Sequence, residues 1–325
     1  MEKYDIIVVG AGSAGLACAE VLAVAKRDVL VLEEGREIDY KVCAGGLTLK
    51  GLEILGMQEC EKILQRKFTS LKFRTPFQNI EIKYKKPFLA TVGMEEMYKF
   101  MTEKAKDAGA EIRINSRVRQ IKENSLIVNN QKEIGFNYLV GADGPNSIVR
   151  KSLGLNSKKV LLAFQYIIPK KFEDLELFLD INKFGVTYIW IFPYQKTTSI
   201  GTGGDLTEKG QKILKISNLK ENFDQWCRKK LNFEPQKYKL ESSIINYDYQ
   251  GFDFGHKFLA GDAGGFANGL NGEGMLFAMF SGQDIANKIL DPSYKCKNIE
   301  HILKIKKFQE RILELFEVNK SFAKI

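Results

Sequence analysis

The sequence lacks the cysteine spacing of a metal or redox motif. Its 325 residues include five cysteines and two histidines, and no CxxC pair occurs. This argues against a disulfide framework, a zinc site and an iron–sulfur cluster, and it suits a reducing cytoplasm. His256 and His301 stand apart, without the partners of a catalytic base or a metal ligand.

Long apolar runs are also missing. No stretch approaches the roughly 18 apolar residues of a transmembrane helix. The first predicted strand begins almost at the N-terminus, so no cleaved signal peptide is expected. The chain is expected in the cytoplasm, and contact with a membrane surface is left open. With 44% hydrophobic residues it can bury a sizeable core.

Positive charge is in excess and is concentrated in one segment. The net charge is +9, and residues 61–86 hold eight Lys or Arg against two Glu. No nucleic-acid-binding motif surrounds this segment, so a nucleic-acid partner is not expected. An anionic membrane surface, an anionic substrate or a solvated basic face all remain open.

The first 34 residues hold the clearest pattern. A mostly apolar run at 5–9 leads into the turn GAGSAG at 10–15, then into a helical pattern and a second apolar run that ends at Glu33. This is the βαβ fingerprint of dinucleotide binding. Its glycines are predicted to allow, in order, the tight turn, the approach of a pyrophosphate and the packing of the helix. Glu33 can accept hydrogen bonds from an adenosine ribose.

Two further glycine-rich motifs follow predicted strands. GADGPNSIVR occupies 141–150, and AGDAGGFANGLNGEG occupies 260–274. The predicted elements also include a helix from Glu95 to Ala108 that is closed by Gly109, and a three-stranded meander at 117–140. A final amphipathic helix is predicted near 299–318, and its apolar stripe is Ile302, Ile305, Phe308, Ile312, Leu315 and Phe316.

In this order the three motifs resemble an FAD-dependent family that includes aromatic hydroxylases, halogenases and prenyl reductases. The resemblance implies an α/β fold with a Rossmann-like FAD-binding domain and an interleaved antiparallel β-sheet substrate domain, like that of p-hydroxybenzoate hydroxylase. The FAD-binding domain is expected at 1–60, 92–157 and 252–290, the substrate domain at 61–91 and 158–251, and a helical segment at 291–325. The implied FAD contacts are Gly10, Gly12, Ala14, Gly15, Glu33, Val118, Asp143, Asp262, Gly274 and Met275. The flavin ring is expected at the positive end of a helix that starts near Gly272, where glycines at 264, 265, 269, 272 and 274 would keep side chains away from the ring.

Two further sequence features indicate which branch of this family the chain resembles. KVCAGGL at 41–47 and YIWIFP at 188–193 resemble the cysteine loop and the YxWxFP substrate motif of geranylgeranyl reductases. Strand alternation places Tyr188, Trp190 and Phe192 on one face, where they can line an apolar channel for an isoprenoid tail or form an ordinary aromatic core. The resemblance further implies that Ala44 and Gly46 lie beside FAD. Cys43 is the candidate catalytic proton donor, and Lys41 could meet a substrate phosphate.

The implied activity is FAD-dependent reduction of isolated C=C bonds in geranylgeranyl chains, carried by membrane ether lipids as in digeranylgeranylglycerophospholipid reductases. The electron donor would be NAD(P)H or ferredoxin. Two other functions stay open: an FAD-dependent monooxygenase, and a non-catalytic flavoprotein that binds lipid.

Overall fold

The structure is a computed structural model that describes residues 1–38, 42–54, 56–57, 60, 62–207, 210 and 214–318, with the backbone alone described for 54 and 314–318. In chain order, its strands are β1 Glu2–Val9, β2 Val29–Leu32, β3 Gly46–Thr48, β4 Leu64–Phe68, β5 Ser70–Arg74, β6 Asn79–Lys83, β7 Leu89–Val92, β8 Glu111–Arg113, β9 Val118–Ile121, β10 Ser125–Val128, β11 Lys132–Gly141, β12 Val160–Ile168, β13 Glu176–Phe178, β14 Ile189–Pro193, β15 Thr198–Asp205, β16 Leu240–Asn246 and β17 Lys257–Leu259. Its helices are α1 Ser13–Val24, α2 Leu49–Ile54, α3 Met94–Ala108, α4 Ile148–Ser152, α5 Ile181–Phe184, α6 Ile216–Trp226, α7 Gly261–Gly264, α8 Met275–Leu290 and α9 Lys297–Val318, with a π-helical turn at Cys227–Leu231 and a 3₁₀ turn at Pro235–Lys237.

The first sheet carries the nucleotide-binding pattern. Its parallel strands lie in the order β8-β2-β1-β11-β17, and β9 and β10 add an antiparallel meander to the early part of β11. The apolar run of β1 is buried because helices cover the sheet, as parallel sheets require. Helix α1 packs against α8, and Gly282 of α8 has no room for a side chain because the Ala14 carbonyl lies against it. The predicted strand–helix–strand unit and meander are confirmed.

The second sheet has the order β16-β12-β15-β14-β13-β5-β6, and it is antiparallel except where β13 pairs with β5. One face packs on α6 through a separate apolar core that includes Ile189, Ile191 and Phe223. A small sheet, β3-β7-β4, joins the cysteine loop to the segment before α3. This mixed α/β architecture confirms the expected fold class. The domain boundaries given above stay a prediction.

Helix α3 follows its sequence pattern closely. Its buried side chains recur at helical spacing, Met94, Met97, Tyr98, Met101 and Ala105. Acidic side chains occupy the first turn and Lys106 the last, as the helix dipole favours. Gly109 ends the helix at φ 112°, a conformation that suits glycine. The predicted helix and its stop are both confirmed.

The last helix buries apolar side chains in its early turns. Ile299 and Ile302 are buried, whereas Phe308, which the pattern assigns to the apolar stripe, is 64% exposed. The stripe prediction is therefore wrong at Phe308, because the buried face turns there to Lys306 instead. Among the helices described, none is long and apolar enough to cross a bilayer.

Candidate cofactor and substrate site

The glycine motifs meet at one edge of the first sheet. Leu32, Val9, Gly141 and Leu259 end four neighbouring parallel strands and lie side by side in register. The loops that follow therefore begin at the same level, at the carboxyl edge where open α/β sheets bind ligands. A surface depression around Lys3 and His256 lies at the opposite edge and contains none of the predicted site residues.

The first loop has the shape that its glycines predict. Gly10 has φ +99°, and a Cβ there would collide with the Ala142 carbonyl. A Cβ on Gly15 would collide with the Gly10 carbonyl, so this glycine lets the helix approach the strand. Gly12 differs, because its Cβ would meet no atom closer than 3.9 Å. Gly12 also begins α1 without a side-chain cap, which leaves open space beside free N–H groups that can hold phosphate. Ala14, in contrast, is buried.

Glu33 is held across the mouth of this loop. Its Oε2 accepts a hydrogen bond from Ala11 N at 2.8 Å, and its Oε1 accepts one from Gly35 N at 2.9 Å. Its backbone carbonyl accepts a bond from Ser116 N at 2.8 Å, which brings the start of β9, with Val118, next to it. Glu33 therefore adjoins the segment that leads into β9, and the contacts of Glu33 and Val118 with FAD stay a prediction.

Asp143 of the second motif is largely buried, and burial raises the pKa of its carboxyl. Its Oδ2 accepts a bond from Ile148 N at 2.6 Å at the start of α4. Its Oδ1 is buried and has no hydrogen-bond partner among the residues described. A buried polar oxygen without a partner costs free energy, so this atom fits a hydrogen bond to a bound polar group such as FAD.

The third motif places Asp262 beside the start of α8. A Cβ on Gly274 would lie 3.6 Å from Asp262 Oδ1 and 3.5 Å from Ala267, an ordinary contact distance. Among the residues that the structure describes, no neighbour therefore forces glycine at 274. Helix α8 begins at Met275, half-buried, without a side-chain cap, so its positive end is open toward this space.

Other glycines of this motif serve the protein instead. A Cβ on Gly264 would lie 2.7 Å from Phe266, one on Gly269 would lie 2.7 Å from Tyr247, and one on Gly265 would collide with the Asp248 carbonyl. The expectation that all of them clear space for a flavin ring is wrong for these three. They are glycine because neighbouring protein atoms occupy the volume of a side chain.

The cysteine loop docks on the second sheet. Cys43 Sγ accepts a bond from Gly45 N at 3.4 Å, and the Cys43 carbonyl accepts one from Gln165 Nε2 at 3.4 Å. The Ala44 carbonyl accepts a bond from the Tyr194 hydroxyl at 3.0 Å. Gly46 lies against the Phe192 ring, since a Cβ there would be 2.5 Å from it. Lys41 lies outside the described residues.

The aromatic residues of YIWIFP lie on one sheet face. Ile189 and Ile191 point into the core against α6, and Trp190 and Phe192 alternate with them toward the cysteine loop. The Tyr188 and Trp190 rings meet edge to face, with centroids 6.4 Å apart. The Tyr188 hydroxyl donates to the Asn271 carbonyl at 2.6 Å, which ties this face to the third glycine motif. The alternation prediction is confirmed.

Some residues at the site were missed by the sequence reasoning. Tyr98 of α3 is buried, forms a hydrogen bond with Ser13, and has its pKa raised to about 12 by burial. The charge of Glu273 contributes to raising the pKa of the Tyr188 hydroxyl. Burial raises the pKa of the Glu273 carboxyl. Gln165 is buried within the apolar run VLLAFQYII, and one polar residue in such a run is a signal that could have found it.

A comparison with protein families gives a match to the family described as "FAD binding domain" over residues 3–179, just over half of the chain. An uncharacterised protein of Methanosarcina barkeri is 29% identical, with 96% of this chain and 81% of that protein covered. Digeranylgeranylglycerophospholipid reductase 1 of Methanosphaera stadtmanae is 25% identical, with 98% and 83% covered.

Among solved structures, a geranylgeranyl bacteriochlorophyll reductase-like protein of Thermoplasma acidophilum superimposes with a TM-score of 0.77 at 20% identity, covering 96% of this chain and 85% of that one. This likeness shows the shared fold. The open space at Gly12 and Gly274 and the partnerless oxygen of Asp143 fit a dinucleotide flavin. The chain therefore belongs to the FAD-binding domain family, has FAD as its cofactor, and is an FAD-dependent oxidoreductase.

Proposed function

We propose that this oxidoreductase reduces isolated C=C bonds in geranylgeranyl chains, and that these chains belong to membrane ether lipids. The observation that carries the proposal is the aromatic face formed by Tyr188, Trp190 and Phe192. This face meets both the Cys43 loop and the loop before α8. Three aromatic rings in a row suit a long apolar chain, and the reductase names of relatives support the same substrate class.

Reduced FAD, when bound, supplies a hydride to one alkene carbon. The chain's own task is to hold the alkene and to deliver a proton to the other carbon, so that each double bond gains two hydrogens. An isolated alkene is a poor electrophile, so the proton donor must lie close to it. We propose that Cys43 is this donor or orders a water there, and that Tyr188 and Trp190 hold the chain beside it.

The loop before α8 places a second acid near the same face. Burial raises the pKa of the Glu273 carboxyl, and the Glu273 charge acts on Tyr188. A neutral carboxyl there would keep negative charge away from the apolar chain. We propose that Glu273 is protonated during turnover and shapes the environment of the alkene, with Cys43 as the donor.

We also propose that Lys41 binds a phosphate of the substrate. The electron donor is NAD(P)H or ferredoxin, and the enzyme works in the cytoplasm at the membrane surface. Residues 61–91 and 158–251 form the substrate-binding domain.

The proposal is tested by turnover with a chemical reductant. Purified holoenzyme is incubated anaerobically with dithionite and a geranylgeranyl ether phospholipid, and the lipid is analysed by mass spectrometry. Successive gains of two hydrogens support the function, and the Trp190→Ala variant should lose most of this activity while keeping its FAD. An unchanged lipid mass with substrate-stimulated oxygen uptake in air would point to a monooxygenase instead.

A further inference from the structure

The β5–β6 hairpin is the most exposed apolar part of the described chain. Nine large apolar side chains are exposed in the described chain as a whole, and four of them lie within residues 77–84. These are Phe77, Ile80, Ile82 and Tyr84, with exposures of 80%, 53%, 41% and 50%. Every residue from 76 to 87 is exposed. Single exposed apolar residues are ordinary, but a cluster of this kind marks an interaction surface.

The hairpin has two chemically different faces. The strand register places Leu71 opposite Ile82 and Phe73 opposite Ile80, so one face is apolar. The other face is polar and its cations are paired. Lys72 Nζ lies 2.5 Å from Asp174 Oδ2, and Arg74 pairs with Glu176. An edge strand with one exposed apolar face is normally protected or used for binding.

The apolar face continues to the predicted substrate site. Ile80 pairs with Phe73, Phe73 with Leu177, and Leu177 with Trp190. Residues paired in this way share a sheet face, so these four side chains form one row across β6, β5, β13 and β14. At about 4.8 Å between neighbouring strands, the row spans roughly 14 Å. It runs from Ile80, 53% exposed, to Trp190, 9% exposed.

Positive charge follows the apolar side chains along β6 and just beyond it. Lys85 and Lys86 are exposed next to Tyr84, Lys83 pairs with Glu81 at 3.1 Å, and Glu81 is the one acid among residues 76–87. The wider segment 61–86 carries an excess of six positive charges. Apolar side chains flanked by lysines suit a surface that is apolar inside and anionic outside.

We propose that the β5–β6 hairpin docks on an anionic lipid surface, and that the row Ile80–Phe73–Leu177–Trp190 is the path by which an apolar chain reaches the site. The docking surface stands on the hairpin alone, and the path rests on the proposed prenyl reductase function. Phe77, Ile80, Ile82 and Tyr84 enter the lipid interface, and Lys85 and Lys86 contact its anionic groups.

Docking is tested with holoenzyme and vesicles that contain no prenyl substrate. Sedimentation is compared for phosphatidylcholine vesicles with and without phosphatidylglycerol. Wild type should bind the anionic vesicles and release them at high salt. Phe77→Ser combined with Ile80→Thr, and Lys85→Glu combined with Lys86→Glu, should each weaken binding by about tenfold or more. Lys229→Glu with Lys230→Glu is the matched charge control on the exposed π-helical turn, and Leu240→Thr is the apolar control on the opposite edge strand; both should bind like wild type.

Two results would contradict the docking proposal. In one, wild type does not bind the anionic vesicles, and in the other, the hairpin variants bind them as well as wild type does. A hairpin variant that changes a dimer into a monomer, with no effect on vesicles, would assign the patch to self-association. Activity on geranylgeraniol in detergent micelles separates the two proposals. Wild type that reduces micellar substrate without binding vesicles would contradict docking and support the proposed function. Wild type that binds vesicles without reducing any prenyl substrate would support docking and contradict the proposed function.

Discussion

The Trp190 indole N–H donates a hydrogen bond to Ser199 Oγ at 2.8 Å, inside the face that we assign to the substrate. Ser199 Oγ donates in turn to Gln165 Oε1 at 2.8 Å, and Gln165 Nε2 reaches the Cys43 carbonyl at 3.4 Å. Trp190 also covers Gly201, where a side chain would have no room. One series of hydrogen bonds thus connects the Trp190 side chain to the backbone of the cysteine loop.

Replacing Ser199, the middle residue of this series of hydrogen bonds, should destabilise the site while FAD stays bound. Ser199→Ala leaves the Trp190 N–H and Gln165 Oε1 without their buried partner, at a cost of about 1–3 kcal/mol in the free energy of unfolding. Prenyl turnover should fall as well. In a double-mutant cycle with Trp190→Phe, denaturant unfolding should show coupling between the two sites, and additive effects would contradict the linkage.

Glu33 is expected to contribute to FAD affinity. Glu33→Ala removes the acceptor that holds Ala11 N and the carboxylate available to the ribose, so the Kd for FAD should rise by roughly 10- to 100-fold. The neighbouring Glu34→Ala is the control, since Glu34 forms an exposed ion pair with Arg117. Titration of apoprotein by flavin fluorescence measures both. Equal affinities in the two variants would remove Glu33 from the cofactor site.

Two glycines of the third motif should respond in opposite ways. Gly274→Ala has room in the protein, so the stability of the apoprotein should be unchanged while FAD affinity falls. Gly264→Ala forces a methyl group against Phe266 and the Leu259 carbonyl, which should cost about 1–3 kcal/mol of apoprotein stability. Urea unfolding of the apoproteins and FAD titration separate the effects. A Gly274→Ala variant with wild-type FAD affinity would place the flavin elsewhere.

The proton donor can be assigned by comparing two variants. Cys43→Ala should retain FAD and slow alkene reduction by about 100-fold or more, as expected when a general acid is lost. Wild-type turnover in Cys43→Ala or Cys43→Ser would exclude this role.

The protonation state of Glu273 should affect how the alkene-reducing activity depends on pH. Its pKa is raised, so the neutral carboxyl persists to higher pH than usual, and activity should decline as pH rises through that pKa. Glu273→Gln keeps a neutral side chain, so it should keep most of the activity and flatten this decline. Loss of activity in Glu273→Gln at every pH would make Glu273 the donor instead of Cys43.

Lys306 of α9 predicts a pH-dependent stability. Its Nζ is buried and donates to the Tyr247 carbonyl at 3.0 Å and the Ala267 carbonyl at 2.5 Å, and burial lowers its pKa from 10.5 to about 8. Between these values the unfolded chain binds more protons than the folded one, so this group adds stability as pH rises from about 8 to 10.5, by up to roughly 3 kcal/mol.

The measurement is denaturant unfolding at pH 7.5 and 9.5. Lys306→Met should lack the rise in stability that wild type shows between the two conditions. Lys304→Met, an exposed lysine on the same helix, should behave like wild type. A Lys306→Met variant with the wild-type pH dependence would contradict the buried position of this ammonium group.

Local sequence rules predicted most of the parallel sheet and its loops. The βαβ unit at β1, α1 and β2 follows from strand length, helical periodicity and the turn glycines, all of which lie close together in the sequence. The same holds for α3 and its stop at Gly109. The alternation of Tyr188, Trp190 and Phe192 also fixes their common face, because a strand has only two.

Contacts between segments that are far apart in the sequence cannot be predicted from these local rules. The pairing of β13 with β5 joins residues about one hundred positions apart, and it links the two hairpins that together form the apolar row from Ile80 to Trp190. The role of Gly264 depends on where Phe266 packs, and the buried Lys306 depends on carbonyls from two other elements. Phe308 was assigned to the buried stripe because periodicity gives a face and does not show where the neighbouring surface ends.

Anaerobic single turnover tests the central claim most directly. FAD in the purified protein is reduced with one equivalent of dithionite, a geranylgeranyl ether phospholipid is added, and flavin absorbance and lipid mass are followed together. We predict that one flavin is reoxidised for each two hydrogens gained by the lipid. Flavin that stays reduced until oxygen is admitted, with the lipid mass unchanged, would contradict it.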